Sequence, residues 1–569
     1  MHIQVAMTSS RLFAIVALAV FPAWLQGADA STTPNQGAPK GLAGIYLSAR
    51  HAEAVSDDGR ATALLNRALE MDPDNEGILR QTYFIAAQVG DFSTAATAAA
   101  RSVESSPQMA LAPLIVAVNA YKQQKYDAAW SYLDKIPAQS AGGFALPLLR
   151  AWGMAPRQPA DAALAELAPL QGMNGAADLF NVMAGLLNEY YGRNAQALAN
   201  YDPLAARADQ LAPAILRIVI DGYHRLGKDN EANALVTRFA NTRGASLFVD
   251  GIAEVADPRR RTKKISADQG MAEALFAACQ MLLQNVNTPF GTQLAVVYGQ
   301  AALYLNPDLT IARRVVSAAL TDRDRFSEAN AMLAAVKKDD SSYASARLQM
   351  SENFERMDKP DESLALLEEV AKERPDWPNV QVAIGDHMRR AKKFADAVDA
   401  YDRAFKLFPG GESDAWQLYY ARGIALERTK QWDRADMDFR KALALNPNDA
   451  GVLNYLGYSM IDRGINIAEG RAMIEKAFKL KPDDGYIIDS LGWAMFLMGE
   501  TESAVIHLEK AVETEPADAT INEHLGDAYW KVGRRNEAFF QWRRALGLDP
   551  DDDQRTELQQ KLAQGLARN

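Results

Sequence analysis

The strongest constraint on this chain is a pattern that returns about every 34 residues. Leu525, Gly526, Tyr529, Ala538, Trp542, Ala545 and Pro550 have counterparts 34 positions earlier in Leu491, Gly492, Met495, Ala504, Leu508, Ala511 and Pro516. Gly457, Ala477 and Pro482 continue the series with one inserted residue, followed by Gly423, Leu426, Ala435, Phe439, Ala442 and Pro447. Gly385, Met388, Ala397, Tyr401, Ala404 and Pro409 form the next unit, and Pro375, Pro307, Pro107 and Pro73 extend the ladder. Small residues let two amphipathic helices approach, bulky ones fill the space between them, and a closing proline ends the second helix by removing a donor and fixing φ. At 569 residues the chain is too long for one core, and repetition supplies the alternative.

The pattern resembles the tetratricopeptide repeat (TPR). The resemblance implies an all-α fold, a TPR-type α-solenoid of about 14 helical hairpins between residues 42 and 552. The repeat is degenerate over 42–240, where Ala61, Ala68, Ala95, Ala129, Gly185, Ala197 and Tyr201 still mark it, and poor over 144–177 and 205–275. Residues 241–270 break the period with a basic run, Arg259 to Arg261 with Lys263 and Lys264, and are expected to join this array to a regular one over 271–552. The five charges suit either an acidic partner or plain solvent. Residues 553–569, with Leu558, Leu562 and Leu566 behind three aspartates, are expected to form a helix that caps the open end.

The first thirty residues place Arg11 ahead of an apolar run from Leu12 to Leu25 and end in Ala28-Asp29-Ala30, the three-part form of a secretory signal. Cleavage would leave Ser31 first, ahead of a polar linker over 31–41; the alternative is an uncleaved anchor. No cysteine lies near that site to carry a lipid. Cys279 is the single cysteine, which excludes an internal disulfide, and its apolar setting predicts a place in the core. A net charge of -11 argues against nucleic acid as a partner.

No catalytic constellation emerges. The stretch from Gly222 to Asp229 resembles a phosphate-binding loop, but Asp229 stands where a metal-binding hydroxyl belongs and no strand precedes it. Gly457 and Ser459 lack the second glycine of a nucleophile elbow. The six histidines form no His-Glu-x-x-His pair, and Asp386 with His387, or Glu523 with His524, cannot face each other from adjacent helical positions. The expectation is a protein that is no enzyme and needs no cofactor or metal.

Function is then expected in a groove. TPR resemblance assigns the inner face to the first helix of each hairpin, which gives Asp386, Arg389, Arg390, Tyr420, Glu427, Asn454, Tyr458, Asp462, Asp489, Trp493, Phe496, Glu523, Asp527 and Trp530. The lysine and asparagine with which some TPR co-chaperones clamp a chain terminus are replaced by Val382, Tyr420, Asn454, Asp489 and Glu523. The partner-binding groove is therefore expected at Tyr420, Tyr458, Asp462, Asp489, Trp493, Phe496, Glu523, Asp527 and Trp530, and to take a protein or peptide with basic and apolar groups. Packing of Trp493 or Trp530 between hairpins is the competing reading. The last 130 or so residues, notably 454–500 and 521–546, resemble exported TPR proteins of Gram-negative bacteria, including the outer-membrane adaptor of a carboxyl-terminal processing protease. That resemblance implies a periplasmic scaffold, peripherally associated with the envelope, that delivers substrates to a protease. Alternatively it implies a component of an envelope export or polysaccharide-secretion assembly.

Overall fold

The structure, a computed structural model, describes residues 41–55, 57–105, 110–140, 143–173, 175–242, 264–285, 288–408 and 415–566. The expected signal segment, the linker up to residue 40, and Arg259 to Arg261 with Lys263 lie outside them. Among the described residues all regular secondary structure is helical, and apart from one extra short helix, Ala168–Gln171, the α-helices pair in sequence into fourteen hairpins followed by one terminal helix, Asp552–Gln564. The fold is a TPR-type α-solenoid. No described helix is long and apolar enough to cross a membrane.

Three local devices repeat with the period. First, a glycine on the first helix faces a large residue sixteen positions later on the second. A Cβ would lie 2.5 Å from Tyr401 at Gly385, 2.6 Å from Phe439 at Gly423, 2.8 Å from Leu508 at Gly492 and 2.5 Å from Trp542 at Gly526. The inserted residue in the 450–480 hairpin changes this plug, since Gly457 and Gly470 there meet backbone to backbone. Second, the turn within a hairpin places one residue in the left-handed region: Gly90, Gln124, Gly192, Gly227, Asp324, Asp358, Lys392, Lys430, Gly464, Gly499 and Gly533. The next N–H then reaches back to a carbonyl five residues earlier, as from Lys393 to Met388 at 2.8 Å and from Arg534 to Tyr529 at 2.9 Å, which closes the helix end. Third, an acidic or amide side chain two residues after the proline caps the next helix: Asn75, Asp449, Asp484 and Asp518 accept from N–H groups three residues on.

The segment from Gly222 to Asp229 is one of these turns, with Gly227 at its left-handed position. Cys279 is fully buried, and burial pushes its thiol up to about 12, so it acts as a small apolar core residue.

The two halves bury their surface differently. Helices Ala267–Asn285 and Pro289–Leu305, which the period assigns to the C-terminal array, continue into it through Thr310–Thr321 and also pack against the first helices of the N-terminal hairpins, Glu76–Gln88, Leu111–Lys122, Leu146–Met154 and Ala177–Tyr190. Gln300 donates to the Gln88 carbonyl at 2.9 Å, Tyr304 to Asn119 at 2.9 Å, and Lys122 to the Leu305 carbonyl at 3.0 Å. Arg217 and Glu273 form a buried ion pair at 2.6 Å across the same contact. One apolar core therefore runs from Leu79 to Val315, while beyond Leu333 the core is divided into smaller clusters shared by adjacent hairpins. The N-terminal first-helix face is thus largely covered by the chain itself, apart from a cavity of about 440 Å³ beside Leu186, Arg217, Ile218 and Arg225.

Candidate functional site

Among the described residues from Tyr343 onward, contacts of any extent join only near neighbours in sequence, so no described hairpin covers the first-helix face there. Its aromatic row begins with Tyr420 on helix Trp416–Arg428, half-buried between Trp416, Phe439 and Tyr455 at centroid distances of 6.4, 6.1 and 5.9 Å. Burial lifts the Tyr420 hydroxyl to about 12. On helix Ala450–Asp462, Tyr455 donates to Glu427 at 3.2 Å, Tyr458 is half-buried and Asp462 is exposed. Burial, followed by the carboxylates of Asp462, Asp489, Glu523 and Glu427, drives the Tyr458 hydroxyl well above its ordinary range.

Helix Gly485–Leu497 contributes Asp489, Trp493 and Phe496. Trp493 is sandwiched, with Phe496 stacked at 4.9 Å and the His524 imidazole at 3.9 Å, so its faces are taken and an edge remains. Asp489 is buried and bonds His524 Nδ1 at 3.0 Å through both oxygens. Burial opposes protonation of His524, but Asp489, with help from Asp527 and Glu523, outweighs it and raises the imidazole above its ordinary value. His524 thus finds its carboxylate on the preceding hairpin. That partner was not legible from the sequence neighbours of either residue, although the 35-residue offset between them fits the repeat.

The last three expected groove residues are occupied by the chain. Glu523 and Asp527 are buried, and both bond Lys561 Nζ from the terminal helix, at 2.7 and 2.8 Å. Asp527 also accepts from Trp542 Nε1 at 2.8 Å, and Glu523 from Gln554 at 2.8 Å. Trp530 packs on Trp542 at 5.3 Å and Phe539 at 5.7 Å, lies under the Arg535 guanidinium at 3.6 Å, and abuts Gly565. The physical reason is register: the terminal helix takes the place of a further first helix, bringing Lys561 34 positions beyond Asp527, and burial of Leu558 holds it there. At the other end, Asp386 accepts from Tyr401 at 2.7 Å, Arg389 lies 3.3 Å from the same hydroxyl, and Arg390 bonds Glu355 at 3.1 Å.

The open part of the face is therefore centred on Tyr458, Asp462, Phe496 and the edge of Trp493, beside Asn454. Asn454 Oδ1 and Trp493 Nε1 are both buried from solvent and have no hydrogen-bond partner among the described residues. Such atoms each cost about 1–3 kcal/mol when left unpaired. No group of three or more His, Cys, Asp or Glu suited to a metal occurs among the described residues.

The family model described as tetratricopeptide repeat matches residues 348–412 and 382–450, and a second model of that description matches 519–552. Among solved structures, the Cut9–Hcn1 hetero-tetramer of the APC/C is similar at 13% identity and a TM-score of 0.40, over 92% of this chain and 96% of that one. A tetratricopeptide repeat protein from Parabacteroides merdae is similar at 16% identity and a TM-score of 0.37, over 45% and 98%. YrrB, a TPR protein with an unusual peptide-binding site, is similar at 18% identity and a TM-score of 0.26, over 34% and 97%. No curated protein sequence matches the chain.

Proposed function

We propose that this chain, whose C-terminal hairpins match tetratricopeptide repeats, is a non-enzymatic scaffold that holds a protein partner on the first-helix face between residues 416 and 497. The observation that carries the reading is the row of half-exposed Tyr458 and Phe496 with exposed Asp462 on first helices that no described hairpin covers. The rings suit apolar side chains, and exposed Asp462 suits a lysine or arginine. The N-terminal first-helix face is largely covered by Ala267–Asn285 and Pro289–Leu305, whereas no described hairpin covers the C-terminal one. The reading extends to the periplasm through Arg11, the apolar run and Ala28-Asp29-Ala30, and to delivery of a protein to an envelope protease through the family resemblance of 454–546.

Protein from the native envelope should begin at Ser31, and a partner should be recovered with it after crosslinking in the periplasm. Phe496→Ala combined with Asp462→Lys should lose that partner while the melting temperature stays within a few degrees. Trp530→Ala should instead melt early, because that ring supports the terminal helix. Full recovery of the partner by the double variant would remove the groove reading. Recovery of secretion components in place of a protease would favour the export assembly.

A further inference from the structure

Three of the four most exposed large apolar side chains among the described residues occupy one slot of the repeat: Met437 at 70%, Ile506 at 68% and Phe540 at 63%. Each lies fourteen positions after its hairpin's glycine, Gly423, Gly492 and Gly526, on the second helix. The hairpin between the first two carries exposed Ala472 in that slot, so the residues form a continuous stripe across four consecutive hairpins. The two preceding hairpins hold exposed Asp399 and Ala365 there, so the row of large apolar residues is confined to this end. It belongs to the second helices and is separate from the groove. Isolated exposed apolar residues need no explanation, whereas an aligned row of large ones marks a contact surface.

The flanks of the stripe carry opposite charges. One turn ahead of it, each second helix bears a carboxylate: Asp433, Glu469, Glu502 and Glu537, of which Glu469 and Glu537 pair with Arg440 and Arg534 of the same chain. One turn beyond it, each bears a cation: Lys441, Lys476, Lys510 and Arg544. An acidic edge, an apolar line and a basic edge make a surface complementary to itself when a second copy is turned about an axis parallel to the stripe. Facing helices then run antiparallel, stripe meets stripe, and Glu502 of one copy opposes Lys510 of the other, because each lies four residues from Ile506. A two-fold relation of this kind is the commonest closed symmetry of soluble oligomers.

We propose that this second-helix face, centred on Met437, Ile506 and Phe540, is an interface between two antiparallel copies of this chain. The pairing leaves both grooves free, so two partners can be held by one dimer.

The test is sedimentation velocity on the full chain across a micromolar concentration series. The wild type should show a reversible monomer–dimer equilibrium. Ile506→Asp with Phe540→Asp should weaken it at least tenfold with unchanged helical circular dichroism, since both side chains point into solvent in the monomer. Lys510→Glu should also weaken it, and adding Glu502→Lys should restore it, because the swap reinstates the antiparallel charge match. A wild type that stays monomeric throughout the series overturns the proposal. So does a dimer indifferent to the aspartates, or one that Lys510→Glu weakens and Glu502→Lys weakens further. Binding of a different protein to the stripe, with this chain monomeric, has the same consequence.

Discussion

Gly526→Ala sets two opposing effects against each other on one helix. Alanine is favoured over glycine in a helix interior by about 1 kcal/mol, so local propensity argues for a gain. The new Cβ, however, would lie 2.5 Å from both Cδ1 and Nε1 of Trp542. That ring has little room to retreat: it is fully buried, its Nε1 donates to Asp527 at 2.8 Å, and Phe539 and Trp530 lie at 5.7 and 5.3 Å. Overpacking of this kind costs ~1–3 kcal/mol, and loss of the Trp542–Asp527 bond adds about 1 kcal/mol. The net expectation is a local destabilisation of about 1–3 kcal/mol. Gly59→Ala is the control, since it lies in helix Asp58–Met71 with nothing within 4 Å of the added methyl. It should gain up to about 1 kcal/mol. In a repeat array opening is local, so the assay is hydrogen exchange read by mass spectrometry over peptides spanning 519–546. Each 1.4 kcal/mol is about a tenfold change in exchange. Unchanged or slower exchange in Gly526→Ala would refute the close-packing account of the glycine slot.

The left-handed turns give a second expectation. Lys392 and Lys430 hold φ of 58° and 62° on the surface, a conformation that costs a non-glycine residue about 1–2 kcal/mol. Lys392→Gly and Lys430→Gly should each raise stability by roughly 0.5–1 kcal/mol after glycine's larger entropy loss is deducted, and a lower melting temperature would contradict this. For His524, whose folded pKa is raised above 6.5, the stabilising contribution is complete below that ordinary value and fades as pH rises through the raised one. Exchange protection of 485–531 should therefore fall toward alkaline pH in the wild type, and His524→Gln should lack that dependence. A wild-type profile flat from pH 6 to the alkaline side would count against a charged His524.

Much of this protein could be read from residue order because its repeat is built from local contacts. Gly385, Gly423, Gly492 and Gly526, with the aromatic or leucine sixteen residues on, mark close approach of two helices within one hairpin. Prolines such as Pro447 and Pro516 mark the ends of second helices, and Asp449 or Asp518 the starts of the next. These interactions span less than one period, so the pattern carries them directly. The turn ladder was half visible: glycine marks it at 90, 192, 227, 464, 499 and 533, whereas Gln124, Asp324, Asp358, Lys392 and Lys430 hide it behind ordinary side chains.

Tertiary structure decided which faces remain open. The TPR resemblance assigns Glu523, Asp527 and Trp530 to the inner face, yet only the seating of helix Asp552–Gln564 determines that Lys561 neutralises the two carboxylates and Gly565 abuts the indole. Likewise the apolar surface of Ala267–Leu305 is plain in the sequence, but its docking on helices up to 200 or so residues earlier is not, as in the bond from Gln300 to Gln88. Helical periodicity states that a surface must be buried and is silent about its partner. A contact between distant segments depends on the summed curvature of every hairpin between them, a quantity that no single repeat encodes.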